Sequence, residues 1–179
     1  AESGDLLVLT GSPATVLVYS LAGLQAVIDG SGPISPVRTL ISSAQFPAGV
    51  APGGMDFWPA DNSLLITTAN GTILRYSFTA TSAIRGPDFA TGLGNGKFKV
   101  KTGVQASTSL AFVANNNGGE ILEFGSPPGG GGANPPLARV TSGVQRPQGL
   151  VASNLAARDA ADCLEAVGGC DLLGNVVKH

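Results

Sequence analysis

The sequence predicts an all-β fold built from small repeated sheets. Its 179 residues include 26 glycines and 12 prolines, which are spread along the chain and separate short apolar runs. Frequent turn formers between short apolar runs are typical of sheets with many turns. A strand–turn–strand pattern also recurs along the chain, whereas the segment 154–179 has a different, alanine-rich composition.

The recurring pattern is a β-hairpin whose second strand ends in an aromatic residue. Its copies are LLVLTGSPATVLVYS at 6–20, LLITTANGTILRYS at 64–77 and LAFVANNNGGEILEFG at 110–125. The aromatic residues Tyr19, Tyr76 and Phe124 recur at intervals of about 50 residues. In the second copy, Asn70-Gly71 predicts a two-residue type I′ turn, because both central positions of that turn need a positive φ.

A second motif, Gln-x-Pro-x-Gly followed by Val or Leu, lies between the hairpins. It occurs at 45–50 and again at 145–150, and a copy at 101–113 keeps Gly-Val-Gln but lacks the proline. Proline is suited to the position before a strand, where its missing N–H costs no ladder hydrogen bond. Together the two motifs predict a unit made of a first strand, the hairpin, a variable loop and a fourth strand.

Four short strands in a unit of about 40–50 residues predict a blade of a β-propeller, in which four-stranded sheets are arranged around an axis. We therefore expect residues 1–153 to form a propeller-like array of about three four-stranded blades. The predicted units are 4–58, 59–105 and 106–153, followed by a short C-terminal tail at 154–179.

The segment FPAGVAPGGMDFWPADNSLLITTANGTILRY, residues 46–76, resembles a repeat of the NHL-type β-propeller proteins. That repeat runs Pro-x-Gly-(Val/Ile)-Ala, a polar turn, an apolar strand, Asn/Gly, and a strand of the form Ile-x-x-aromatic. The segment TSLAFVANNNGGEILEF at 108–124 is similar to its second half. The resemblance covers about 4–153, and it implies a propeller. The insertion after Gly54 and the glycine-rich loop at 125–137 depart from the family repeat.

The number of blades leaves the ring incomplete, because closed propellers usually have four to eight. Three explanations stay open. The chain is a fragment of a longer propeller, further copies or a partner complete the arc, or the units stack as another three-sheet or sandwich arrangement. We favour a truncated or partner-completed propeller, with a single β-sandwich as the main structural alternative.

The tail is predicted to begin with a helix over about Leu155–Val167. Asn154 is a suitable cap for its first turn, and Gly168-Gly169 ends it. Two roles stay open for this helix: it covers an open face or edge of the sheets, or it connects to further blades.

Cys163 and Cys170 are the two cysteines of the chain, and they lie on either side of a Gly-Gly turn. In an all-β chain of secreted style, this spacing favours a disulfide that staples the tail. Free thiols are the alternative. A metal site would need more soft ligands, and the chain has a single histidine.

Residues that carry chemistry are sparse. The histidine is the last residue, His179, which argues against a triad. Asp56 and Asp61, and Glu120 and Glu123, match no calcium-binding loop, and the glutamates face opposite sides of a strand. The sequence therefore predicts no catalytic, cofactor-binding or metal-binding residues.

Two segments are candidates for an interaction surface. The insertion APGGMDFWPA holds the one aromatic concentration, Phe57 and Trp58, which belongs either to the core between blades or to a binding surface. The segment GKFKVKTG places Lys97, Lys99 and Lys101 on one face of a strand. Such lysines guard an edge strand against pairing, or they form a basic strip for an anionic partner.

These observations predict a non-catalytic, secreted or periplasmic β-propeller module for protein interaction or assembly. Its partner is another protein or further copies of itself that complete the propeller. A net charge of −2 does not indicate nucleic-acid binding, and no apolar run is long enough for membrane insertion. Two alternatives stay open: a part of a six-bladed lactonase-like or quinoprotein-like enzyme whose active-site residues lie outside this chain, and a self-assembling dimer or filament subunit.

Overall fold

The computed structural model describes residues 5–79, 82–105, 107–127, 134–148 and 150. This part of the chain forms three antiparallel sheets and one α-helix, which confirms the predicted all-β class. The predicted tail, with its helix over Leu155–Val167 and its disulfide between Cys163 and Cys170, lies outside the described residues.

The sheets follow one another along the chain, and we name them sheets I, II and III. Sheet I contains β1 (Leu6–Gly11), β2 (Ala14–Tyr19) and β3 (Arg38–Ile41). Sheet II contains β4 (Pro52–Trp58), β5 (Ser63–Thr68), β6 (Ile73–Phe78) and β7 (Ala83–Arg85). Sheet III contains β8 (Phe98–Gln105), β9 (Thr108–Asn115), β10 (Glu120–Phe124) and β11 (Ala138–Val140). In each sheet, strands that are consecutive in the chain are neighbours and run antiparallel.

Sheets II and III each have four strands, but they begin with β4 and β8, which the predicted units 4–58 and 59–105 placed at the end of the preceding unit. In both, a first strand (β4 or β8) precedes the repeated hairpin and lies at one edge of the sheet. Sheet I begins with its hairpin, β1–β2, so within the described residues it has three strands and nothing pairs with the outer edge of β1.

A helix, α1 (Leu21–Ile28), occupies the segment that the sequence assigned to a variable loop. Ser20 begins it, because its Oγ accepts a hydrogen bond from the N–H of Gly23 at 3.1 Å, as an N-cap residue does. The helix buries none of its residues, and Leu21, Val27 and Ile28 stay exposed. Its apolar positions are therefore not core positions.

Sheet II lies between the other two sheets and is buried on both faces. Core 1, built from sheets I and II, contains Ala14, Val16, Val18, Leu40, Ile41, Phe46, Leu64, Ile66, Leu74, Tyr76 and Ala83. Core 2, built from sheets II and III, contains Trp58, Leu65, Ile73, Phe89, Ala90, Phe98, Val100, Ala111, Val113, Leu122 and Phe124. Successive strand residues point to opposite faces. Leu64 and Ile66 of β5 therefore enter core 1, whereas Leu65 enters core 2.

The turn between β5 and β6 differs from the prediction. Four residues, 69–72, connect the strands, and of the predicted turn pair only Gly71 has a positive φ, at 75°. The type I′ prediction at Asn70-Gly71 was therefore wrong. The reason lies in Thr68, whose Oγ1 donates to the carbonyl oxygen of Thr72 at 2.7 Å and also contacts Asn70 Oδ1. These side-chain contacts stabilise a wider turn than a two-residue hairpin.

Candidate functional site

Of the two aromatic residues at the end of β4, Phe57 lies at the surface and Trp58 lies in the core. Phe57 is 39 % exposed, and its ring centroid lies 6.2 Å from that of Phe78. Trp58 is 1 % exposed, and its ring packs edge-on against Phe89 with centroids 4.9 Å apart. Adjacent strand residues point to opposite faces. Trp58 therefore belongs to core 2 and not to an interaction surface.

The lysine-rich strand β8 lies at the edge of sheet III, with its apolar side chains turned inward. Phe98 and Val100 are buried in core 2, whereas Lys97 and Lys99 are exposed and Lys101 is half-buried. The alternation of side chains follows the period-2 pattern of the sequence.

Two of these lysines contact sheet II. Lys99 Nζ donates to the carbonyl oxygen of Gly53, and Lys101 Nζ lies 3.0 Å from Asp56 Oδ2. Asp56 Oδ2 also accepts a hydrogen bond from the backbone N–H of Thr102 at 2.7 Å. The lysines thus join β8 to β4, and this geometry favours a contact between sheets over a basic strip for an anionic partner.

The backbones of β4 and β8 approach closely beside these polar contacts. Thr67 Oγ1, on β5, donates to the carbonyl oxygen of Phe98 at 2.9 Å. A Cβ at Gly53 would overlap that same carbonyl oxygen, so the approach depends on glycine. Sheets II and III are therefore held together along their first strands as well as through core 2.

The outward face of sheet I is apolar. We call it face 1 and define it by Leu6, Val8, Leu17 and Tyr19. The register pairs Leu6 with Tyr19 and Val8 with Leu17, so the four side chains share the face opposite Val18, which is fully buried in core 1. Leu6 is 45 % exposed and the other three are half-buried. Face 1 is therefore an apolar surface at one end of the stack.

The outward face of sheet III carries apolar side chains beside charged ones, because Lys101 and Glu123 each pair with Phe112 and share its face. We call it face 3 and define it by Phe112, Ile121 and Val140, all half-buried. Ile121 pairs with Val140 across the sheet, and the neighbouring Val113 and Leu122 point the other way into core 2. The two ends of the stack thus both carry apolar side chains that are partly open to solvent.

The sheets are stacked in the same orientation, so that corresponding faces point in the same direction along the stack. Tyr76 of sheet II lies in core 1, which faces sheet I, and Phe124 of sheet III lies in core 2, which faces sheet II. Each of these sheets therefore turns its aromatic face toward the sheet before it. Tyr19 is the corresponding residue of sheet I, and it lies on face 1. Face 1 is thus the counterpart of two faces that are buried inside the stack.

Face 3 corresponds to the face of each sheet that lies opposite the aromatic residue Tyr19, Tyr76 or Phe124. Leu65 follows Leu64, which pairs with Tyr76, and Leu65 is fully buried in core 2. Phe112 has the same position in sheet III, since it follows Ala111, the partner of Phe124. Sequence reasoning missed faces 1 and 3, although the recurrence of Tyr19, Tyr76 and Phe124 already indicated that the three sheets have corresponding faces.

Gln45, the first residue of the Gln-x-Pro-x-Gly motif, connects the linker after sheet I to sheet II. Its Nε2 donates to the carbonyl oxygen of Ala83 at 2.8 Å, and its Oε1 accepts from the backbone N–H of Ser42 at 2.9 Å. Its carbonyl oxygen accepts from the hydroxyl of Tyr76 at 2.9 Å. The motif therefore fixes how the following sheet docks on the sheet before it.

Stability is expected to fall at alkaline pH because of Tyr76. Burial raises the pKa of its hydroxyl; the Asp88 charge adds to this and the Arg85 charge opposes it. The folded state favours the neutral phenol, so this contribution is complete below the unfolded pKa of about 10 and is lost as pH rises through the higher folded value. Urea unfolding between pH 7 and 11 measures the loss.

Replacing Tyr76 with phenylalanine provides the control for this pH dependence. At pH 7 the variant should lose about 1 kcal/mol, the net value of the hydrogen bond to Gln45. Between pH 9 and 11 it should lose less stability than the wild type. Parallel curves for the two proteins would show that the alkaline loss comes from other groups.

The described residues show no arrangement for metal chemistry. Among them, no group of three or more His, Cys, Asp or Glu side chains is placed to hold a metal ion, and no helix is long and apolar enough to cross a membrane. The described residues thus form a mostly β structure of three stacked antiparallel sheets.

No model of a known protein family matches the sequence, and no curated protein matches it either.

Proposed function

We propose that this chain is a non-catalytic module of β-propeller type that acts through protein interaction or assembly. One observation carries the proposal: both ends of the stack present partly exposed apolar side chains, and these lie on faces that correspond to faces buried between the sheets. Apolar surface of this kind marks sites of protein interaction. A secreted or periplasmic location belongs to the same proposal, since a disulfide between Cys163 and Cys170 would need an oxidising compartment.

The propeller interpretation is supported by the shape and packing of the sheets. Sheets II and III are four-stranded meanders, and successive sheets pack face to face. Their first strands, β4 and β8, lie against each other, as expected when blades converge on an axis. A β-sandwich has two sheets, and three sheets in series agree better with blades.

An apolar fluorescent dye tests whether the end faces are open. At concentrations where light scattering finds single chains, the wild type should bind the dye. Leu17→Glu, which places a charge at the centre of face 1, should lower the amount bound. Ile84→Glu is the matched control, because Ile84 is an apolar strand residue that is 54 % exposed and lies outside both faces.

The proposal fails if the single wild-type chain binds no dye. The faces would then be covered within the chain, for example by residues 151–179, and they would not be available to another protein. Equal losses from Leu17→Glu and Ile84→Glu would also contradict it, since the bound dye would not be on face 1.

A further inference from the structure

We propose that the partner of this module is a second copy of the same chain, bound head-to-tail, with face 1 of one copy packed on face 3 of the other. This inference rests on the proposed function and adds the identity and orientation of the partner. It follows from the polarity of the stack and from the hydrogen bond between Tyr76 and Gln45, because the motif that contains Gln45 recurs in the sequence at Gln145.

The polarity determines which faces fit together. In both contacts inside the chain, the face that carries Tyr76 or Phe124 packs on the other face of the preceding sheet. Face 1 corresponds to the face that carries Tyr76 or Phe124, and face 3 corresponds to the opposite face, on which the next sheet packs. A contact between face 1 and face 3 therefore repeats an arrangement that the chain already uses twice, whereas contacts between two like faces have no counterpart in it.

The docking motif after sheet III supports the same orientation. Gln45 follows the end of β3 by a few residues, and its carbonyl oxygen accepts the hydroxyl of Tyr76 from the sheet that docks there. Gln145 follows the end of β11 in the same way, and it is exposed. The adjoining Pro147 is held against sheet III by a 3.4 Å hydrogen bond to its carbonyl oxygen from Asn116 Nδ2. This hydrogen bond ties Pro147 of the second motif to the segment that follows β9 in sheet III.

A sheet that docks on face 3 needs a tyrosine at the position of Tyr76 to complete this hydrogen bond. Sheet III has Phe124 there, which lacks a hydroxyl, but sheet I has Tyr19. Within the described residues, the Tyr19 hydroxyl makes no hydrogen bond. In the head-to-tail contact, Tyr19 of one copy donates to the carbonyl oxygen of Gln145 of the other.

A contact between two different faces has a consequence for the size of the assembly. Each copy keeps one open face after binding, so addition of copies continues until a ring closes or a filament grows. Each added copy continues the stack of three sheets at one of its ends, as the propeller interpretation requires for further blades.

Two variants with complementary defects test the orientation. Leu17→Glu blocks face 1 and leaves face 3 intact, whereas Phe112→Glu blocks face 3 and leaves face 1 intact. Each variant alone should have the mass of one chain by light scattering. An equimolar mixture should form a heterodimer, because one intact face of each kind is present. Ile84→Glu should assemble like the wild type, and circular dichroism verifies that every variant is folded.

Tyr19→Phe in the Phe112→Glu chain tests the proposed hydrogen bond. It should weaken the heterodimer roughly fivefold, as expected for the net value of one hydrogen bond. A further Gln145→Ala substitution in the Leu17→Glu chain should have little effect, since the acceptor is a backbone carbonyl.

Three results would overturn the inference. Dimers of either variant alone would show that like faces pair, and a folded mixture that remains monomeric would show that the two faces do not fit. A wild-type chain that binds the dye but stays single at every concentration would exclude a second copy as partner. That last result would leave the proposed function standing, with a different protein as the partner.

Discussion

Replacing Trp58 with alanine is expected to lower the free energy of unfolding by about 3–5 kcal/mol, the usual cost of removing a large buried aromatic side chain. Trp58 is the single tryptophan of the chain and is 1 % exposed. Its ring contacts Phe89, whose centroid lies 6.3 Å from that of Phe124 in sheet III. The substitution would therefore leave a cavity between sheets II and III, and urea unfolding followed by circular dichroism measures its cost.

Phe57→Ala is the matched control, because it removes an adjacent aromatic ring from the same strand. Phe57 is 39 % exposed, so its loss should cost less than half as much as the loss of Trp58. Similar costs for the two substitutions would contradict the assignment of Trp58 to core 2 and of Phe57 to the surface.

Gly71→Ala is expected to be comparably damaging through a different mechanism. Gly71 has a φ of 75°, and forcing a side chain into that left-handed conformation costs about 1–2 kcal/mol. An added Cβ would also overlap the carbonyl oxygen of Gly94 and lie 2.7 Å from its nitrogen. Such overpacking costs about 1–3 kcal/mol more. Thermal unfolding should therefore show a large decrease in Tm.

Gly92→Ala separates the two causes. Gly92 has a φ of 77°, close to that of Gly71, but a Cβ there would meet no atom within 4 Å. It should show the cost of the conformation alone, so Gly71→Ala should destabilise the protein more. Equal effects would show that the segment around Gly94 moves away without cost, and that it does not pack firmly on the β5–β6 turn.

The sequence predicted the hairpins because their signals are local. An apolar run, a turn and a second run ending in Tyr19, Tyr76 or Phe124 are all visible within about 15 residues. Local patterns were less informative for the turn at Asn70-Gly71, where the side chain of Thr68 competes with the two-residue geometry. The interpretation of a turn pair depends on neighbours that hydrogen-bond to it.

The position of Trp58 and the role of the lysines required the three-dimensional arrangement. The period of β8 predicts which side chains share a face, but it does not predict that Lys101 meets Asp56 on another sheet. The same holds for faces 1 and 3. Their members are ordinary strand residues in the sequence, and they become a candidate site only because sheets I and III lie at the ends of the stack.

The mass of the native full chain as a function of concentration, measured by light scattering, tests the central claim most directly. Association through faces 1 and 3 predicts a mass of more than one chain that rises with concentration, and a decrease in dye bound per chain as the faces are covered. A mass of one chain at every concentration, together with no dye binding, would contradict the claim that the end faces of the stack are interaction surfaces.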